Sequence, residues 1–595
     1  MSAVWSVIVG IDIGLTCTGV AIYYNAPDGR FIVLQQWPGT EDRTTSKVPT
    51  RLTYKAGEVD IHSWGFSCPE LGNLGPGMAI KDMFKFYLDT YFVKQKFLRA
   101  SENAPKLKDV KSWYAHFLGA LHNHIMHYLQ EQLIIDVHLT TIEFVFGIPT
   151  IWTDDALLQC FRELVDSAGF AETGTVIMEM TEGEAAAVFT AKSRDHSFEE
   201  GEAFMVCDAG GGTTDMCVMQ VKKVQEEMVE LESLDCPQAI AVGSVDIDEM
   251  FQAIAEEQLR ILGVVPEDMA RLLAHQITRG EFQALKTRFG KRLVASLKNM
   301  QLAIPNSNQR INLSRDQLKA MFDTQIQKII ELIDTEIAFL GAHRPDIRLS
   351  SIFLAGGLGS SIYVQEHIVE HCINMKVLFA PKPEDLPLAV CKGLVFDRWQ
   401  HSSNKLPVIP IRNSNASYGI LCKELYSKKK HSAQTYTRNP LDGRNYVEKQ
   451  IDWLVLKNGR RDECVRRMYS LILTADKIID TWGFSVVRST LEPTRLPTSL
   501  DGKGGATVIC HVIADPEADL HDAISSRRRT LTGKKFVFSQ VNCELSADIR
   551  VGKMEFGIRL TGEGNGTPQA LKVQWEENNR LAGREIDGLV RLAVR

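Results

Sequence analysis

A chain of 595 residues with 44% apolar, 24% charged and 8% aromatic side chains has the composition of a folded protein and is too long for one hydrophobic core, so two to four domains are expected. Its net charge of -7 excludes bulk attraction to nucleic acid, and the short basic runs Lys428–His431 and Arg527–Arg529 read as solvated loops. The 12 cysteines show no C-x-x-C pair and several sit in apolar runs, which argues against a disulfide framework or a thiolate metal site and for a cytoplasmic or nuclear protein.

The opening stretch, MSAVWSVIVGIDIG, lacks the basic flank and long apolar run of a secretory signal, and no segment reads as a membrane span. Val4–Ile13 is a strand ending at Asp12-Ile13-Gly14, with Leu15, Thr16, Cys17, Thr18 and Gly19 in the turn beyond it. Val20–Tyr24 and Phe31–Gln36 complete an antiparallel meander. Ser46–Tyr54 reads as a loop and short strand, Val59–Phe66 as an edge piece, and Cys68–Gly77 as a loop. Asp82–Phe92 and Val110–Leu133 read as helices, the second amphipathic through Trp113, Phe117, Leu121, Ile125 and Tyr128. Its histidines, His116, His122, His124 and His127, have no acids or cysteines at ligand spacing and read as surface or half-buried side chains.

Leu139–Phe146 is an apolar strand closed by Gly147-Ile148-Pro149, and Asp154–Ala168 a helix that Gly169 ends. Thr175–Glu179 is a short strand, and Glu182-Gly183-Glu184 opens an alanine-rich helix. Then comes FMVCDAGGGTTD. The apolar run Phe204–Cys207 ends at Asp208, and Gly210, Gly211 and Gly212 form a turn whose N–H groups can approach phosphate oxygens closely. Thr213 and Thr214 add hydroxyls, Asp215 a second acid, and Met216–Val224 is the returning arm of a hairpin. Asp208, at a strand end, can hold a hydrated cation or orient water. Gly243 starts a turn before a helix reaching Leu262, Ile277–Leu297 has helical patterning, and Ser314 with Gln317 caps Arg315–Leu340. Ile347–Leu354 is a strand, followed by the turn Ala355-Gly356-Gly357-Leu358-Gly359, the helix Tyr363–His371, the strand Lys376–Phe379 and the helix Ala389–Arg398. His401–Leu406 reads as a linker. Beyond it the texture is β-rich, with short strands at Ala416–Leu421, Trp453–Leu456, Phe484–Val487, Val508–Ile513, Glu555–Leu560 and Leu571–Trp575, a turn at Gly562–Gly566, and Glu576–Arg595 as a terminal helix.

Asp12-Ile13-Gly14-Leu15-Thr16, Asp208–Asp215 and Ala355-Gly356-Gly357, in that order, resemble the actin-like ATPase superfamily of sugar kinases, actin and seventy-kilodalton heat-shock chaperones. Ile148-Pro149 before a helix and Met180–Ala187 resemble the interlobe proline region and connecting stretch of the heat-shock branch. Trp152 and the segment Asn415–Ile420 are similar to its divergent subfamily typified by the twelfth member. The resemblance covers residues 4–398. It implies an α/β fold with a two-lobed actin-like ATPase domain (ribonuclease H-like lobes), lobes 1–190 and 191–400, followed by a smaller β-rich C-terminal domain at 401–595, a shortened, divergent substrate-binding region.

The resemblance also implies ATP or ADP with Mg2+ in the interlobe cleft. Asp12 and Asp208 would hold the metal, Asp208 and Glu182 would stand near the attacking water, and Lys85 (Lys81 is the runner-up) would be the catalytic lysine. Gly14 and Thr16 would meet the outer phosphates from one side and Gly210, Gly211, Gly212 and Thr213 from the other. Gly243, Gly356 and Gly357 would face the nucleoside and inner phosphates, and Lys286 the adenosine. Polypeptide clients or a partner protein would engage the C-terminal domain.

Departures from the pattern stand beside it. Leu15 replaces a threonine of the first phosphate turn. Gln283, Lys286 and Thr287 stand where Glu, Lys and Arg are usual, Leu358 and Ser360 replace a serine and an arginine, and Leu157 or Leu158 falls where an interlobe arginine is expected. The acidic-leucine linker of typical members has no counterpart near His401–Leu406. Three functions therefore compete: a slowly hydrolysing chaperone-related ATPase, a nucleotide-stabilised scaffold with little turnover, and a small-molecule kinase, which would need an acceptor site and an aspartate base.

Overall fold

The computed structural model describes residues 6–25, 29–41, 43–70, 73–89, 105–193, 197–225, 228–263, 265–291, 298–380, 382–404, 406–410, 412–440, 442–459, 464–474, 482–500, 504–514, 525–531, 534–550, 553–560, 569–575, 585–586 and 589–591. The chain forms two compact units. One comprises Met1–Trp152 and Cys160–Pro410, the other Thr153–Gln159 and Ile411–Arg595.

The first unit is built on two sheets of the same design. In one, the path runs Arg30–Val33, Cys17–Tyr24, Ser6–Ile13, Thr141–Ile148, Thr175–Thr181, and Lys47–Pro49 also pairs with Cys17–Tyr24. In the other it runs Met228–Ser233, Thr214–Gln225, Ala203–Ala209, Leu349–Ala355, Lys376–Phe379, and Gln238–Ile240 also pairs with Thr214–Gln225. Each begins as an antiparallel meander and continues as parallel strands. The central strands SVIVGIDI and AFMVCDA are rich in apolar residues and almost wholly buried, as strands covered on both faces must be. Each carries its acid at the penultimate position, Asp12 before Ile13 and Asp208 before Ala209, so both carboxylates emerge where the strand leaves the sheet.

A shared apolar core joins residues from both sheets, among them Ile8, Val145, Phe204 and Val206, to the helices Glu182–Lys192 and Ala389–Asn404. The first of these helices starts at a capping box. The Glu184 N–H donates to Thr181 Oγ1 at 3.3 Å and the Thr181 N–H to Glu184 Oε2 at 2.8 Å. Ser314 and Gln317 form the expected box at the head of Arg315–His343. Outside the site, His122 Nε2 lies 2.8 Å from Thr173 Oγ1 and His116 Nδ1 2.8 Å from the Tyr54 hydroxyl.

Several sequence expectations are corrected. The continuous helix Ile277–Leu297 is instead Glu267–Arg279 and Glu281–Lys286, split at Gly280, whose backbone adopts φ -98°, ψ -107°; residues 292–297 lie outside the described residues. The linker His401–Leu406 is largely helix, because Ala389–Asn404 continues through it. Gln400 explains the continuation: its buried amide donates to the Val229 carbonyl at 2.8 Å and accepts from the Val229 N–H at 2.9 Å. The edge piece Val59–Phe66 shrinks to Ser63–Trp64. Arg527–Arg529 lies in the strand Ser525–Leu531, held in register by the partner strand Lys534–Arg550, not in a loop. In the stretch expected as a terminal helix, the described residues are the strands Glu585–Ile586 and Leu589–Arg591, each paired with a neighbour. The turn Gly562–Gly566 lies outside the described residues.

The second unit is β-structured. From Ser417–Leu425 the pairing runs through Leu589–Arg591, Val465–Thr474, Lys534–Arg550, Lys553–Leu560, Gln569–Trp575, Thr507–Ala514 and Trp482–Ser489, and the last pairs back with Ser417–Leu425. The path closes on an apolar core that includes Tyr418, Tyr469, Phe484, Val512, Leu545 and Phe556.

Candidate functional site

The ends of the two acid-bearing strands meet a cavity of about 340 Å3. Asp12, Gly14, Thr16, Lys85, Glu182, Asp208, Gly210, Gly211, Gly212, Thr213, Gly356 and Gly357, all singled out from the sequence, line it.

The first turn is held from behind. The Thr50 N–H donates to the Thr16 carbonyl at 2.9 Å, and its hydroxyl donates to the Gly14 carbonyl at 2.9 Å. Leu15, also in the cavity lining, packs with Phe86 and Val245 in a small apolar cluster. The second turn closes through Gly210 N–H to Thr213 O at 2.9 Å and is pinned to the next helix by Val245 N–H to Gly211 O at 2.9 Å. Gly356 has φ +82°, and a Cβ there would fall 2.3 Å from Asp208 Oδ1, so the third turn can approach Asp208 only with glycine at this position.

Charge is paired across the cavity. Lys85, in the short helix Phe84–Leu88, donates from Nζ to Glu182 Oε1 at 2.7 Å. Lys47 donates from Nζ to Asp12 Oδ2 at 2.6 Å. Thr213 Oγ1 donates to Asp215 Oδ2 at 2.9 Å, and Asp215 Oδ1 is buried with no hydrogen-bond partner among the described residues. Burial, then the neighbouring Asp215 and Asp12 charges, pushes Asp208 up to about 7. Burial also raises Glu182 and Asp215, the Lys85 ammonium working against it in both. Burial acts against the charge on Lys47, yet Asp12 more than restores it, and its pKa ends above the ordinary lysine value. Carboxylates crowded this closely favour a cation or a proton in their midst.

Two sequence candidates are not brought to the cavity lining. Lys286 is turned to Asp248, 2.6 Å from Nζ to Oδ1, and Gln283 donates to the same oxygen at 2.9 Å. Gly243 stands behind the second turn, where a Cβ would collide with the Gly211 backbone, and its N–H donates to Asp246. The alternative lysine, Lys81, lies over the Trp113 ring, 4.8 Å from its centroid. Lys47 went unnoticed in the sequence because it belongs to no motif; it reaches Asp12 through strand pairing alone.

The residues fit a nucleoside triphosphate and its cation. Backbone N–H donors of glycine turns, two lysines and hydroxyls suit a polyphosphate, and the volume is within the roughly 300–1,000 Å3 of small-molecule sites. The oxygen-only donors suit a hard cation such as Mg2+. Among the described residues no group of three or more His, Cys, Asp or Glu side chains forms a metal cage.

Two sheets of one topology, each delivering an acid and a glycine turn to a common cleft, define the actin-like ATPase fold with ribonuclease H-like lobes, here followed by a smaller β-rich domain. No protein-family model matches the chain. The chain is 23% identical to human heat shock 70 kDa protein 12B over 70% of its length and 71% of that protein's. It is 22% identical to mouse heat shock 70 kDa protein 12A over 71% of its length and 73% of the relative's, and to the human 12A protein at the same identity and coverage. Over about 70% of its length the chain is thus similar to divergent heat-shock seventy-kilodalton proteins of the twelfth-member type. Among the described residues no helix is long and apolar enough to cross a membrane.

Proposed function

We propose that this protein binds ATP in the cleft together with magnesium and hydrolyses it slowly, as a divergent chaperone-related ATPase. The observation that carries the reading is the convergence of Asp12, Asp208, the glycine turns and the Lys85–Glu182 pair on one cavity. Gly14 and Thr16 on one side and Gly210, Gly211, Gly212 and Thr213 on the other would bind the outer phosphates through N–H and hydroxyl donors. Gly356 and Gly357 would meet the inner phosphates. Asp12 and Asp208 would hold the magnesium ion, which supplies charge neutralisation to the transferred phosphoryl group. Lys85 would bring its ammonium to the same group, and Asp208 and Glu182 would orient the water. That water adds to the γ-phosphorus, the bond to the ADP oxygen breaks, and ADP and inorganic phosphate leave. Gly243 would act from behind the second turn, and Lys286 through Asp248 at the nucleoside end, both without lining the cavity. A magnesium-dependent titration with ATP, followed for phosphate release on the same sample, tests the reading. Asp208→Asn is expected to lower release at least about a hundredfold, and unchanged release would overturn the assignment.

A second reading, a nucleotide-held scaffold with little turnover, is favoured by one observation. Leu15 occupies a hydroxyl position of the first turn and is committed to an apolar cluster with Phe86 and Val245. Tight ATP binding with no release would select it. In either reading the β-rich unit is the proposed docking region for polypeptide clients or a partner protein.

A further inference from the structure

Asp12, Gly19 and Lys47 form one cross-strand row: Asp12 pairs with Gly19, and Gly19 pairs with Lys47. The middle position has no side chain. A Cβ built on Gly19 would lie 2.9 Å from Lys47 Cε, so the lysine arm runs through the space that any other residue at 19 would fill. At its far end Nζ meets Asp12 Oδ2 at 2.6 Å, with the two side chains 19% and 8% exposed. Lys47 also lines the cavity beside Gly14 and Thr16. Thus one of the two carboxylates assigned to the metal already faces a buried ammonium that belongs to the protein.

We propose that Lys47 is a built-in cation of the nucleotide site, sharing Asp12 with the metal and neutralising polyphosphate charge, so that nucleotide binding persists without a divalent cation. The inference rests on the ATP reading above. Lysine is a compact charge on a flexible stem, and a short rotation exchanges the Asp12 oxygen for a phosphate oxygen. With Lys85 engaged by Glu182, the remaining carboxylates Asp12, Asp208 and Asp215 would otherwise disfavour an uncomplexed polyphosphate.

The test is calorimetric titration of the full chain with ATP in excess EDTA and in millimolar Mg2+, repeated with Lys47→Met and Lys47→Arg. The wild type is expected to bind within about tenfold equally under both conditions, and Lys47→Met to lose about a hundredfold in EDTA while recovering most of it in Mg2+. Lys47→Arg should retain binding in EDTA. Wild-type binding that vanishes in EDTA but is firm in Mg2+ overturns the role of Lys47 and leaves the ATP reading standing. Failure to bind ATP under both conditions, with the wild type folded by circular dichroism, overturns the ATP reading and this inference with it. If Lys47→Met is unfolded, the wild-type comparison still decides.

Discussion

Asp208 sits among like charges at the end of a fully buried strand, and this has a thermodynamic consequence. Burial and its neighbours raise its pKa from the usual carboxylate range to about 7. The folded state therefore holds a proton that the unfolded state releases. The stabilisation is complete below the unfolded pKa and is lost as pH rises through the folded one, so the ligand-free protein loses stability between about pH 4 and pH 7 from this group. Asp208→Asn, which cannot ionise, should be close to the wild type below about pH 4 and more stable at pH 8, by on the order of 2–4 kcal/mol. Thermal melts of the two proteins across that range read the difference. Equal pH slopes would show that Asp208 does not carry the strain of the cleft. The same argument explains why a cation, whether Lys47 or a metal, belongs there.

At the scale of elements, the helix carrying Glu182 is placed by its neighbour. Glu182–Lys192 crosses Ala389–Asn404 so closely that a Cβ on Gly393 would lie 1.7 Å from the Ala185 carbonyl oxygen. Backbone cannot give way as a flexible side chain can. Gly393→Val is expected to cost about 3 kcal/mol or more in denaturant unfolding. Because the helix would be pushed outward with Glu182 at its first turn, ATP affinity should fall in the same variant. A stable variant with unchanged affinity would show that the two helices adjust without moving the cavity wall. The run Ala185-Ala186-Ala187 is legible as helix in the sequence, but its purpose is not: alanines and a glycine in two distant segments let two helix backbones touch, and no local pattern announces the partner.

At the scale of the whole molecule, the second unit includes a piece of chain from far upstream. Within it, Asp155 accepts from the Tyr418 hydroxyl at 3.0 Å and lies 3.4 Å from Arg488 Nε. Asp155 and Arg488 are largely buried, at 11% and 17% side-chain exposure. Removing one member of such a pair leaves the other charge poorly compensated, and Asp155→Ala should destabilise this unit by about 3 kcal/mol. A fragment spanning 411–595 should show the same defect, and a peptide covering 150–160 should raise its melting temperature. If the fragment melts as it does within the whole chain, Asp155 contributes nothing to its stability.

The acid-and-glycine turns, the strands that deliver them and the capping boxes at Thr181 and Ser314 were determined by the sequence itself. Each depends on residues a few positions apart, and short-range chemistry fixes strand ends, tight turns and helix starts. Tertiary structure alone decided that Lys47 faces Asp12 across Gly19, that Lys286 serves Asp248, that Gln400 carries its helix through the expected linker, and that Asp155 belongs with Tyr418 and Arg488. Those choices depend on strand register and on which buried polar group reaches which partner. Both are set by pairing and packing between segments up to hundreds of residues apart, where burial without a partner is too costly to leave unanswered.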